Sequence, residues 1–185
     1  RLPEVYQPVL GHPELSTAVS RGCADRLTHV AAIYRALEAQ LKRPLRVLDL
    51  GCAQGFFSLS LAEMGATVLV VDYLAANVAL CQALTDERPA LAARFETARL
   101  EAVLARLEPG EFDLVLGLSV LHHVVHESGL AAVQQMLGSL ATKVAAGIFE
   151  LALASEPLYW GPAQAENPRL LLAGFVFVHE LARHS

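Results

Sequence analysis

The chain has 185 residues, 54% hydrophobic and 18% charged, enough for one globular α/β domain that buries about two thirds of its unfolded surface. Its net charge is −5 and it shows no lysine or arginine cluster interleaved with aromatics, which speaks against a nucleic-acid binder. Cys23, Cys52 and Cys81 are odd in number and form no CxxC pair, which argues against a disulfide framework or a zinc ribbon and for a reducing compartment, the cytoplasm. No apolar run approaches the roughly 20 residues of a membrane span, and the N-terminus has no secretion signal. The chain starts at Arg1 and stops just after a strand-like FVFVHEL (175–181), so both ends read as cuts within a longer polypeptide.

After PELS, the apolar residues Leu27, Val30, Tyr34, Leu37 and Leu41 recur at helical spacing, predicting an amphipathic helix before Pro44 that covers one face of a sheet. From Arg46 onward the pattern alternates. Strand-like RVLDL (46–50), TVLVVD (67–72), RFETA (94–98), FDLVLGL (112–118) and AGIFELAL (146–153) are separated by helical FSLSLAEMG, AANVALCQALTDE, LEAVLARL and LAAVQQMLGSLATKV. This pitch predicts right-handed crossovers and a doubly wound, mostly parallel sheet. Residues 1–43 read as an N-terminal lid and helix, and 44–185 as the sheet core of the same domain. The longest irregular piece, about 155–168, contains LYWGPAQAENP, and a loop of that length in a compact domain is more often functional than idle.

The first strand feeds a turn, Gly51, Cys52, Ala53, Gln54 and Gly55, and then a helix. In an open α/β sheet a ligand sits at this point, beyond the carboxyl end of the strand. Dinucleotide binders use a middle glycine there so that the backbone approaches a pyrophosphate. This chain has Ala53, which disfavours a nucleotide-dependent oxidoreductase and suits an adenosine cofactor without phosphates, such as S-adenosylmethionine. About twenty residues on, the second strand ends in Asp72, an acid suited to accept hydrogen bonds from both ribose hydroxyls. Ala98, Arg99, Leu100 and Glu101 follow the third strand, where the adenine edge would rest, and Leu118 ends the fourth, able to cover the other adenine face.

FDLVLGLSVLHHVVH then carries His122, His123 and His126, with His122 and His126 at the spacing of one helix face. Two such histidines are half of a metal site, but no HExxH glutamate or nearby cysteine completes it. The remaining readings are histidines satisfied by local backbone, or histidines touching a methyl acceptor at the cofactor's reactive end.

On these residues the chain resembles the class I S-adenosylmethionine-dependent methyltransferases, which implies their Rossmann-like sheet, without its last strand if the chain is cut. More narrowly, LPEVYQPVLGHPELS, FDLVLGLSVLHHVVH and EPLYWG resemble the methyltransferase domain of bacterial enzymes that terminate O-antigen polymannose chains in lipopolysaccharide synthesis. Members of that family often join this domain to a kinase that phosphorylates the terminal mannose before the phosphate is methylated. The resemblance implies a polysaccharide acceptor, a kinase domain in the full-length chain and a membrane-associated glycosyltransferase complex as partners, with attachment to the inner membrane through other regions. No kinase motif or coiled coil appears here.

Carried over residue by residue, the resemblance assigns Tyr6, Gln7, Arg26, Gly51, Asp72, Tyr73, Asn77, Ala98, Arg99, Leu100, Glu101 and Leu118 to the cofactor, with no metal. Arg26 would pair bidentately with the methionine carboxylate and Tyr6 would close over the site. His122 and His123 are the catalytic candidates, with Tyr159 and Trp160 beside them. A phosphomonoester, with second pKa about 6, needs no general base, whereas a sugar hydroxyl does. Both acceptors remain open, as does a silent scaffold domain, although intact Asp72 and the glycine turn argue against the last.

Overall fold

The computed structural model describes residues 5–16 and 19–183; positions 2–4 of the LPEVYQPVLGHPELS stretch lie outside these. Strands β1 (Arg46–Leu50), β2 (Thr67–Asp72), β3 (Ala93–Thr97), β4 (Leu114–Gly117) and β5 (Ala146–Phe149) form one parallel sheet in the order β3-β2-β1-β4-β5. The helices are α1 (Ala24–Leu41), α2 (Phe56–Glu63), α3 (Ala75–Asp86), α4 (Leu100–Arg106), α5 (Leu121–Ser128) and α6 (Leu130–Ala141). The expected doubly wound architecture is thus observed. Winding reverses between β1 and β4, so the switch point opens at their carboxyl ends.

The strands are apolar runs because both faces of the sheet are covered. Val47, Val68, Val70, Leu114 and Leu116 pack with Tyr34 of α1 and Phe57 and Leu61 of α2. Leu48, Leu50, Val71 and Val115 pack on the other face with Val103 of α4, Leu121 and Val125 of α5, and Leu137 of α6. At the end of the sheet away from the switch point, Asp113 accepts from Arg43 and Arg46, which hold its carboxyl well below the usual range.

Asp49 interrupts β1 on the α2 face, where it is buried and accepts a hydrogen bond from the Ser58 hydroxyl. Burial pushes its pKa up to about 6, with the Asp72 charge adding to the shift. A carboxyl whose pKa rises on folding favours the fold while protonated. That contribution is complete below the unfolded pKa near 4 and is lost as pH rises through about 6. Asp49→Asn is therefore expected to stabilise the protein by about 2–3 kcal/mol at pH 8 and little at pH 4.5. Urea unfolding at both values checks this; an equal gain at both would refute the ionisation account.

Three sequence expectations change. The fourth and fifth strands end at Gly117 and Phe149, short of the predicted 118 and 153, because Ser119 turns left-handed with φ 54° and the ladder past β5 continues only through Glu150 N–H to Gly117 O. The irregular region is correspondingly longer, spanning 150–183 apart from short 3-10 turns at Gly161–Ala163 and Pro168–Leu172. FVFVHEL is not a strand. Its alternation matters only where a sheet edge accepts the run, and here Phe177 stays 81% exposed.

Candidate active site

The turn after β1 is tied to β2 by its backbone. Gly51 N–H and Cys52 N–H both donate to Val71 O, at 2.8 and 3.1 Å. Gly51 has φ 75°, and a Cβ there would lie 2.6 Å from Val120 Cγ2, so only glycine fits between β1 and the start of α5. Ala53 also adopts a left-handed φ of 49°, a strained choice for alanine that aims its N–H at Asp72 Oδ2, 2.9 Å away. Asp72 is buried and also accepts from Leu74 N–H at 2.8 Å and Asn77 Nδ2 at 3.2 Å. The acid expected only to meet a ribose is thus the clasp of the turn as well. A carboxylate has about four acceptor positions. The Cys52 thiol also reaches Oδ2, at 4.0 Å, while Oδ1 accepts from Leu74 N–H among the described residues and has room for a ligand hydroxyl.

The N-terminal segment is fastened over this turn. Ser20 and Arg21 N–H donate to Val5 and Tyr6 O, at 3.0 and 3.2 Å, and Gln7 N–H donates to Gln54 Oε1 at 2.9 Å. Gln7 Oε1 in turn accepts from Phe56 N–H at 3.2 Å, capping the first turn of α2. Tyr6 therefore lines a cleft of about 1490 Å³, whereas Gln7 is buried behind it and does not.

Arg26 is 6% exposed, not the solvated helix residue its position on α1 allowed. One terminal nitrogen donates to Glu150 Oε2 at 3.0 Å and Ser119 Oγ at 3.4 Å; the other donates to Gly22 O at 3.0 Å and Cys23 Sγ at 3.1 Å. Its guanidinium also lies 5.3 Å from the Phe57 ring centroid. Both terminal nitrogens are thus engaged by the protein, so the bidentate grip expected on a carboxylate would require Glu150 to yield. Glu150 additionally accepts from Arg21 and, at 2.5 Å, from Ser119 Oγ.

Tyr73, Asn77, Ala98, Arg99, Leu100, Glu101 and Leu118 line the same cleft. Ala98 N–H donates to Asp72 O at 3.0 Å, which sets the entry to α4 beside the acid. Arg99 is exposed and paired with Glu127 at 3.0 Å. In the same cleft, His122 is buried against Trp160, with ring centroids 4.4 Å apart, and His123 Nδ1 lies 2.9 Å from the Tyr159 hydroxyl. Gln164 Nε2 donates to His122 O and Trp160 O, pinning the long loop to α5. His126 packs edge-on to Tyr159, outside the cleft lining.

Burial pushes the His122 pKa down to about 4, and neighbouring His123 and Arg21 act in the same direction while Glu150 opposes. His123 is lowered as well, chiefly by burial. Both rings are therefore neutral at pH 7. Hence the histidines can exchange hydrogen bonds with an acceptor but hold no positive charge for it.

Arg21, Ser119 and Glu150 are among the cleft residues that sequence reasoning missed. Glu150 carried one usable signal, its position just past the carboxyl end of a strand. Arg21 carried none.

A family model described as "Methyltransferase domain" matches residues 47–143. The chain is 50% identical, over 95% of its length, to the O-antigen chain terminator bifunctional methyltransferase/kinase WbdD of Escherichia coli, of which it spans 25%. A crystal structure of WbdD superimposes with a TM-score of 0.91 at 50% identity, covering 92% of this chain and 39% of that one. Magnesium protoporphyrin IX methyltransferase from Synechocystis PCC 6803, with bound SAH, aligns at TM-score 0.51 and 27% identity over 69% of this chain and 56% of its own. With the glycine turn, Asp72 and the parallel sheet that present them, these matches make the chain a member of the methyltransferase domain family.

Proposed function

We propose that this chain binds S-adenosylmethionine and methylates a phosphomonoester on the terminal mannose of an O-antigen polysaccharide, so ending chain extension. The observation that carries the reading is one cleft lined by Gly51, Ala53 and Asp72 together with His122, His123, Tyr159 and Trp160. The residues fit the cofactor: Gly51 has no Cβ to intrude, Asp72 retains acceptor capacity, and no pyrophosphate has to be cradled at Ala53. Gly51, Asp72 and Asn77 would hold its adenosine and backbone, with Ala98, Arg99, Leu100, Glu101 and Leu118 around the base and Tyr6, Tyr73 and Arg26 closing the remaining sides.

When bound, S-adenosylmethionine supplies a sulfonium methyl carbon to which an acceptor oxygen bonds as the carbon–sulfur bond breaks and its electron pair stays on sulfur. The chain's own work is positioning and exclusion of water. Tyr6 lines the cleft, and His122 and His123, lining it too, would hydrogen-bond the acceptor. Their lowered basicity supports phosphate over hydroxyl, because a general base is most effective with a pKa near the working pH and a phosphomonoester needs none. The kinase activity named in WbdD supports the same acceptor, since a kinase in the same polypeptide would supply that phosphate. A cytoplasmic site of action with a membrane-associated glycosyltransferase complex as partner follows from this reading. Among the described residues no helix is long and apolar enough to cross a membrane.

A pH–rate profile of methyl transfer to mannose oligosaccharides, with and without a terminal phosphate, tests the acceptor. On phosphate the rate should follow ionisation at about pH 6, and His123→Gln should raise KM with kcat little changed. Turnover on the unphosphorylated sugar alone, with kcat collapsing in His123→Gln, would replace phosphate by hydroxyl.

A further inference from the structure

We propose that Arg21 is the cation that grips the acceptor phosphate, leaving Glu150 when the phosphate arrives. The assignment rests on the phosphate reading above and adds to it the specificity-determining residue, which neither the histidines nor Arg26 can be.

One carboxylate, Glu150, faces two guanidinium groups, Arg21 and Arg26, with the Ser119 hydroxyl as a further donor. The group therefore carries one positive charge in excess. The two arginines are not equivalent. Arg26 is buried and fixed by a carbonyl, a thiol and the Phe57 ring in addition to Glu150. Arg21 lines the cleft with a side chain 38% exposed, and among the described residues its guanidinium is bonded to Glu150 and, at 3.3 Å, to the Tyr6 hydroxyl. Its backbone is held by the N–H bond to Tyr6 O, so the side chain can swing while its root stays in place. Of the two guanidinium groups, it is the one free to exchange partners.

The other guanidinium groups lining the cleft are engaged elsewhere. Arg99 pairs with Glu127, Arg183 with Glu180, and Arg169 donates to Val178 O. Arg21 and His122 line the same cleft, so the cation faces the space assigned to the acceptor. A planar guanidinium matches two phosphate oxygens in one plane, and a dianion offers it more charge than Glu150 does. The Tyr6 hydroxyl, 3.3 Å from the Arg21 guanidinium, would supply a further donor to the bound phosphate.

The test is titration of the full-length protein, without ATP, with a mannose disaccharide bearing a terminal phosphomonoester and with the same disaccharide lacking it. Wild type is expected to prefer the phosphorylated probe. Arg21→Gln should reduce that preference on the order of 10- to 100-fold through affinity for the phosphorylated probe alone, and Arg21→Lys should keep part of it. Titration with S-adenosylmethionine then verifies that each variant retains its cofactor site. Undiminished preference in Arg21→Gln overturns the role of Arg21 while sparing the phosphate acceptor. Absence of any preference in wild type overturns both. If Arg21→Gln fails to fold, Arg21→Lys decides: a preference reduced through affinity for the phosphorylated probe alone supports the grip, and an undiminished preference or equal weakening toward both probes refutes it.

Discussion

Gly51→Val is expected to destabilise the fold by about 2–6 kcal/mol and to abolish measurable binding of S-adenosylmethionine. Two costs of about 1–3 kcal/mol each combine, one for a β-branched residue at positive φ and one for overpacking. The φ of 75° is one that valine rarely adopts, and the new Cβ would stand 2.6 Å from Val120 Cγ2 and 2.9 Å from Val120 Cβ. Val120 is the residue before α5, so relief of the clash would displace the helix that carries His122 and His123. Urea unfolding gives the stability and calorimetric titration the affinity. A folded Gly51→Val protein with wild-type affinity would rule out this turn as the cofactor site.

Asp72→Ala is expected to cost about 3–5 kcal/mol of stability and to weaken cofactor binding about 10- to 100-fold. Ala53 N–H, Leu74 N–H and Asn77 Nδ2 would all lose their acceptor, and a hydrogen bond to a charged group is worth about 1.5–3 kcal/mol before non-additivity. Thermal unfolding with and without S-adenosylmethionine separates the two effects. An unchanged Tm without ligand would refute the clasp, and an undiminished rise on adding ligand would refute contact with the ribose.

The strands and their order of appearance were legible because a parallel sheet covered on both faces demands short apolar runs, and β1, β2 and β3 lie within a residue of the predicted segments. The helix before Pro44 was legible from Leu27, Val30 and Tyr34, which face the core as their spacing required. Legibility ended where the chain leaves the sheet. After Phe149 neither periodicity nor a local hydrogen-bond pattern governs the backbone, and FVFVHEL kept its alternation without finding a partner strand.

By itself the sequence determined the α/β class and the glycine turn with its acid, since strand ends and tight turns are encoded by neighbours in the chain; of the fourteen candidate site residues, several of them named only through the family resemblance, thirteen line one cleft. Tertiary structure alone decided what those residues do to one another. Gln7 became a helix cap because it docks on Phe56, and Asp72 became a clasp because Ala53 turns left-handed toward it. Glu150 meets Arg21 and Arg26 across separations of 129 and 124 positions, and burial against Trp160 keeps His122 neutral. Pairings of charge and losses of water depend on which surfaces come together, and no local pattern of residues carries that information.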